Sequence, residues 1–277
     1  LSAPLPHDGD LQVVGQLSDA SNTAILVRVG GPAAPLALYK PIRGERPLWD
    51  FPHGNLACRE VAAYLLSEAG GWGVVPPTIL RDGPFGPGSV QLWVTSDPVD
   101  PAQPDADPAG HDSPGPAPLV LLAEPSRLPP GYLSVAEGAT RHGAPIVVAH
   151  ADTAELAAVA VFDAVLNNTD RKGSHLVRDP AGRVWGIDHG VSLHTQDKLR
   201  TVLWGWQGQR LPAEQLEAVG RVSAALGDDS GPLATSLATL LTAAEIRAVR
   251  RRADRLLATA RFPAPSPDWP ALPWPPL

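Results

Sequence analysis

The sequence predicts an α+β protein of two unequal lobes, a small strand-rich one followed by a mainly helical one. Three observations predict it. Short runs of apolar and β-branched residues fill the first 95 positions around one helical stretch. A segment dense in proline and aspartate then breaks the pattern. From Asp152 onward the apolar residues recur at helical spacing.

In the first lobe, 11–15 (LQVVG) and 23–29 (TAILVRV) read as strands flanking a polar turn at 18–22. Residues 35–40 (PLALYK) read as a third strand that ends in Lys40 and is stopped by Pro41. Between Leu56 and Glu68, Val61, Tyr64 and Leu65 recur at helical spacing, with Glu60 in the first turns. Residues 74–80 and 89–94 read as two further strands around a Gly/Pro turn. Residues 97–130 carry ten prolines and five aspartates in 34 positions, too many for lasting regular structure. Residues 97–150 are therefore assigned to an insertion or linker between a first lobe at 1–96 and a second at 151–261. Its opening part, 97–118, is expected to be irregular and dispensable for folding.

The second lobe opens with a helix capped by Asp152 or Thr153, with Glu155 in its first turn and Leu156, Val159, Phe162 and Leu166 as the buried stripe. Two short strands, 176–177 and 184–187, meet at an Asp179–Gly182 turn. Helices over 212–226, 232–241 and 242–261 complete the lobe, the last with Arg247, Arg250, Arg251, Arg252 and Arg255 on a solvated face. The final 16 residues hold seven prolines with Trp269 and Trp274. They read as a tail docked on its own chain with both indoles buried; the alternative is a Pro-rich ligand for a partner protein.

Composition excludes several classes. A net charge of −7 over 277 residues argues against a general nucleic-acid binder. The single cysteine, Cys58, excludes an internal disulfide framework and a cysteine-based zinc cluster. No apolar run approaches the roughly 20 residues of a membrane span, and the opening LSAPLPHDGD lacks the features of a secretory signal. The expectation is a cytoplasmic protein without an integral membrane segment. Of 22 cations only Lys40, Lys172 and Lys198 are lysines. Where arginine is the default cation, a retained lysine is informative, because ammonium and guanidinium differ at tight phosphate sites.

The densest polar cluster is NNTDRKGSH, residues 167–175, followed by GIDHG at 186–190, where Gly190 is expected to permit a sharp turn. A hairpin between them would bring Asp170, His175 and Asp188 to one end, where they could hold a divalent ion and orient a hydroxyl. Asp170-Arg171, a candidate ligand five residues on, and an apolar strand ending in Asp188 resemble the catalytic and metal-binding loops of phosphatidylinositol 3-/4-kinases and HipA-type kinases. The stretches RPLWDFP (46–52), GWGVVPP (71–77) and KLRTVLWGW (198–206) extend the resemblance, over most of the chain, to an actinobacterial phosphatidylinositol 3-/4-kinase-like family.

That resemblance implies a bilobal protein-kinase-like fold and an ATP-dependent phosphotransferase using Mg²⁺ or Mn²⁺. It implies that Asp170 orients the attacking hydroxyl and that Asp188 binds the metal on the nucleotide phosphates. Lys40 would contact the α/β-phosphates and Glu60 would be its ion-pair partner, their charged atoms within about 4 Å. Ser21, Asn22 and Thr23 in the first turn would face the phosphates, although that turn has no glycine. The adenine pocket would lie at Gln91–Val94, with Trp93 shaping it or packing in the core. His175 stands where these kinases place a metal-ligating Asn, so it ligates a metal or contacts phosphate. Lys172, Lys198 and Arg200 are candidate contacts for an anionic substrate. The acceptor could be a lipid head group, a protein hydroxyl, the chain's own included, or a small alcohol, with protein and small molecule ranked first. A nucleotide-binding module without turnover and an AMP-transferring enzyme are the alternatives.

Overall fold

The computed structural model describes residues 5–6, 9–17, 22–31, 34–46, 48, 51, 55–96 and 117–277. Apolar strands build the first lobe. Strands β1 (Leu11–Gln16), β2 (Ile25–Val29), β3 (Leu36–Pro41), β4 (Thr78–Gly83) and β5 (Gly86–Leu92) form an antiparallel sheet in the order β1-β2-β3-β5-β4. Ile25, Val27, Val29, Ala37, Tyr39 and Val90 make a small core on one face. Because successive strand residues point to opposite faces, Leu38 and Lys40 stand on the other. The fourth strand begins at Thr78 rather than 74, since Pro76 and Pro77 have no N–H to give a ladder.

Helix α1 (Leu56–Gly70) starts at Asn55, whose Oδ1 accepts from the Cys58 N–H, while Glu45 accepts from the N–H groups of Leu56 and Ala57 at 2.9 and 2.8 Å. Gly71, at φ 70°, ends it. By sequence α1 belongs to the first lobe, and it packs there on β4 and β5, but it also packs on two helices of the second, Ala213–Ala225 and Pro232–Ala238. Ala62, Ala63 and Leu66 lie in the large core with Leu156, Phe162, Val219 and Val249. Arg59, buried, forms an ion pair with Glu245 and donates to the Ser192 carbonyl at 2.7 Å.

The second half of the segment assigned to a linker is instead a three-stranded antiparallel sheet. Strands β6 (Val120–Ala123), β7 (Tyr132–Ala139) and β8 (Pro145–Ala151) run in the order β6-β8-β7. The flanking prolines mask it in the sequence, and β7 has no fully buried residue and little apolar alternation. All but the last two positions of the expected irregular stretch, 97–118, lie outside the described residues.

Helix α2 (Ala154–Leu166) is capped by the Thr153 hydroxyl and ends at Asn167 in the left-handed conformation. Strands β9 (Leu176–Arg178) and β10 (Val184–Gly186) form the expected hairpin, its turn held by Asp179 accepting from the N–H groups of Ala181 and Arg183. Helices α3 (Ala213–Ala225), α4 (Pro232–Ala238) and α5 (Ala243–Thr259) follow, α5 opening with a Thr242/Glu245 capping box. Thus the expected α+β class and two-lobed arrangement are observed. The arginine face of α5 needs correction. Arg252, one turn from Ala248 and Val249, is buried and donates to the carbonyls of Val165 and His194, each at 3.1 Å.

Backbone bonds hold the tail. The Ala271 carbonyl accepts from Thr201 N–H at 3.1 Å and Trp204 Nε1 at 2.8 Å, and the Pro276 carbonyl accepts from Gly173 N–H at 2.8 Å. The expectation that both indoles are buried fails: Trp274 is 87% exposed and Trp269 is half-buried. No helix among the described residues is long and apolar enough to cross a membrane. Replacing Arg59 with alanine leaves Glu245 uncompensated beside the core. The expected cost, measured by urea unfolding, is about 3–5 kcal/mol.

Candidate active site

The site rests on one buried guanidinium. Arg171 is fully buried and pairs with both carboxylate oxygens of Asp163 on α2, at 2.8 and 2.9 Å. Its Nη1 donates to the carbonyls of His175 at 3.0 Å and Ile187 at 2.9 Å, tying the 167–175 loop to the end of β10. Its Nη2 meets His189 Nε2 at 2.7 Å. Arginine can only donate, so His189 Nε2 accepts and the ring is neutral, in keeping with burial and Arg171 holding its pKa well below the usual histidine value. Asn168 adds a clamp, donating to Asp163 at 3.0 Å and accepting from the Asp170 N–H at 3.0 Å.

This framework presents Asp188 with a left-handed backbone, φ 59°, a conformation aspartate tolerates better than most residues. Lys40 Nζ, reaching from β3, lies 2.9 Å from Asp188 Oδ1 and 2.6 Å from Glu60 Oε1. Glu60 Oε2 accepts from the His189 N–H at 2.9 Å. Glu60 therefore touches both the lysine and the backbone of the loop that carries Asp188. Gly190 lies in a turn, as expected, and α1 comes close to it: a Cβ there would lie 3.3 Å from Leu56 Cβ and 3.6 Å from Glu60 Oε1. His175 Nε2 faces Asp188 Oδ2 at 3.4 Å, and Lys172 Nζ faces Asp170 Oδ2 at 3.1 Å.

Charge follows the geometry. Burial works to lower the Lys40 pKa, but the Asp188 and Glu60 carboxylates outweigh it and raise it above the ordinary lysine value. Lys40, against the opposing effect of burial and with help from His175, holds the Asp188 carboxyl well below the usual carboxylate range. Burial lowers the His175 pKa despite Asp188 beside it. The cluster at neutral pH is an ammonium between two carboxylates, flanked by neutral imidazoles.

These groups open on a cavity of about 1120 Å³ between the lobes. Asn22, Thr23, Lys40 and Gln91 line the first-lobe side; Asp170, Lys172, His175, Asp188, Lys198 and Arg200 line the second. The Gln91 amide donates to Thr78 Oγ1 at 2.9 Å and is buried. Trp93 and Val94, expected at the adenine pocket, do not line the cavity, and Ser21 lies outside the described residues. Arg200 donates to the Thr169 carbonyl at 2.6 Å, and Lys198 lies 4.2 Å from the centre of the Trp269 ring.

The sequence reading missed Asp163 and Glu45. For Asp163 a signal exists: it is the sole charge in the apolar run 156–166, and a buried charge requires a partner. Among the described residues no group of three or more His, Cys, Asp or Glu side chains forms a metal cage. Asp188 and His175 could share a cation that arrives with phosphate oxygens, as Mg²⁺ sites commonly use one or two protein ligands. His175 Nδ1 is buried without a hydrogen-bond partner, so the ring is not locked by a second bond. Replacing Lys40 with methionine removes the main cause of the Asp188 shift. The Asp188 carboxyl, followed by ¹³C NMR titration, should move up toward the usual carboxylate range.

No family model matches the chain. A solved structure with a similar path, the crystal structure of the Golgi casein kinase, aligns at a TM-score of 0.49 with 11% identity, covering 92% of this chain and 72% of that one. Protein Rv2133c of Mycobacterium tuberculosis is 48% identical over 269 residues, 97% of this chain and 92% of its own length. The chain belongs to the family of Mycobacterium tuberculosis protein Rv2133c.

Proposed function

We propose that the chain is an ATP-dependent phosphotransferase with a protein-kinase-like arrangement of lobes. The observation that carries the reading is Lys40 held between Glu60 and Asp188, 2.6 and 2.9 Å away, at the wall of an interlobe cavity. A lysine clamped by two carboxylates is oriented and stays charged, which is what a point-charge contact to nucleotide phosphates needs. Asn22 and Thr23 offer polar groups on the same side. Asp188 and His175 would hold a Mg²⁺ or Mn²⁺ that arrives with the nucleotide; bound there, the ion would offset phosphate charge.

Asp170 is the carboxylate on the opposite wall. In this reading it orients a hydroxyl and takes its proton while the hydroxyl oxygen bonds to the γ-phosphorus. The bond between that phosphorus and the β–γ bridging oxygen breaks, and ADP leaves with the bond's electrons. Lys172, Lys198 and Arg200 make this side cationic and suit an acceptor carrying an anionic group.

Incubation with γ-labelled ATP and either metal tests the proposal. Asp170→Asn should lower turnover about 10²–10⁴-fold, while Lys40→Ala should mainly weaken nucleotide binding with the fold retained. Binding without turnover in wild type would instead favour a nucleotide-binding module, and the mass added to the acceptor separates phosphoryl from AMP transfer. Imidazole suits Mn²⁺ better than Mg²⁺, so wild type should prefer Mn²⁺ and His175→Asn should shift the preference toward Mg²⁺. Metal-supported turnover should fall on acidification. A ligating imidazole must be neutral, and burial lowers the His175 pKa, so the fall should lie below about pH 6.5. Equal turnover with both metals in both proteins would remove His175 as a ligand.

A further inference from the structure

The tail does more than pack. Trp269, Trp274, Pro275 and Leu277 line the same cavity as Asp170, Lys172 and Asp188. The Pro276 carbonyl takes the N–H of Gly173, three residues beyond Asp170. A Cβ on Gly173 would lie 2.7 Å from Leu277 Cδ2 and 3.2 Å from Val120 Cβ. The loop carrying Asp170, the tail and β6 therefore pack directly together. Upstream, Ala271 is fixed by two hydrogen bonds, and Leu272 packs on the main core.

We infer that residues 269–277 form a wall of the acceptor half of the cavity, so that the hydroxyl acceptor is a small molecule and a side chain of another protein is kept from Asp170. This rests on the phosphotransferase reading and narrows its substrate class. A folded or extended polypeptide needs several residues of clearance on each side of its reacting hydroxyl. Here one flank is lined by Leu277, Pro275 and Trp274, which stand at the outer rim of the cavity. Lys198, against the Trp269 ring, and Arg200 lie on the same side, so the acceptor that fits is small and anionic. A protein acceptor would require the outer wall to move.

The test compares the full chain with a chain ending at Leu272, which keeps the Ala271 bonds and the Leu272 packing but loses the outer wall. Two readouts are taken. The first is deuterium exchange at the Gly173 amide, which should be slower in the full chain by about tenfold or more. The second is label transfer from γ-labelled ATP to reduced, carboxymethylated α-lactalbumin, an unfolded acidic protein, with ATP hydrolysis recorded alongside as transfer to water. The ratio of protein labelling to hydrolysis, which cancels any change in basal turnover, should be roughly tenfold higher in the shortened chain. Equal Gly173 exchange would mean the tail is not seated and would overturn the inference. An equal ratio in both chains, with labelling fast or absent beside measurable hydrolysis, would overturn it too. Loss of all turnover in both chains with Gly173 protection retained would sink the phosphotransferase reading and support the wall.

Discussion

The buried charge of Arg171 is the constraint on which the rest of the site depends. A guanidinium removed from water must find partners for its donors, and here they come from four places: Asp163 on α2, the His175 carbonyl, the Ile187 carbonyl and the His189 ring. Satisfying one side chain thereby fixes the spacing between two loops. One carries Asp170 and His175, the other Asp188. The left-handed backbone of Asp188 costs about 1–3 kcal/mol in isolation. It is sustained because the residues on both sides of it are already tied, Ile187 to Arg171 and His189 to Glu60.

Helix α1 carries that order into the first lobe. Its small and aliphatic residues belong to the large core, and Arg59 anchors it to α5 and to the Ser192 carbonyl. Glu60, the next residue, is thus held near Asp188 by contacts that do not involve Lys40. The sheet has its own small core, and Lys40 is the side chain through which it meets both carboxylates. The electrostatics reinforce the placement in both directions. The stability that Asp188 contributes through its depressed pKa is present above the ordinary carboxylate range and is lost as acid reaches its folded value. The stability that Lys40 contributes through its raised pKa is present below the ordinary lysine value and is lost in strong alkali.

Local rules made much of this legible. The strand ending at Lys40, the capped helix at Thr153, the Asp179–Gly182 turn and the three final helices all follow from alternation, capping and turn chemistry. Lys40 stood out because arginine is the default cation of this chain. What stayed hidden depends on contacts between distant segments. The sheet at 120–151 lies between prolines and has a weakly alternating strand. Gly190 sits in the turn expected of it, but the close approach of α1 to that turn depends on a segment distant in sequence. Arg252 reads as one more surface arginine, yet Ala248 and Val249 place it on the inner face of α5. Trp274 looks like an anchor and is exposed, because backbone hydrogen bonds hold the tail.

We read the Lys40–Glu60–Asp188 cluster as a phosphate-binding centre. A crystal structure of the chain soaked with a non-hydrolysable ATP analogue and Mn²⁺ tests it most directly. The triphosphate should lie in the interlobe cavity, with Lys40 on its oxygens and the metal against Asp188. A nucleotide bound elsewhere, with Lys40 still held only by its two carboxylates, would contradict it.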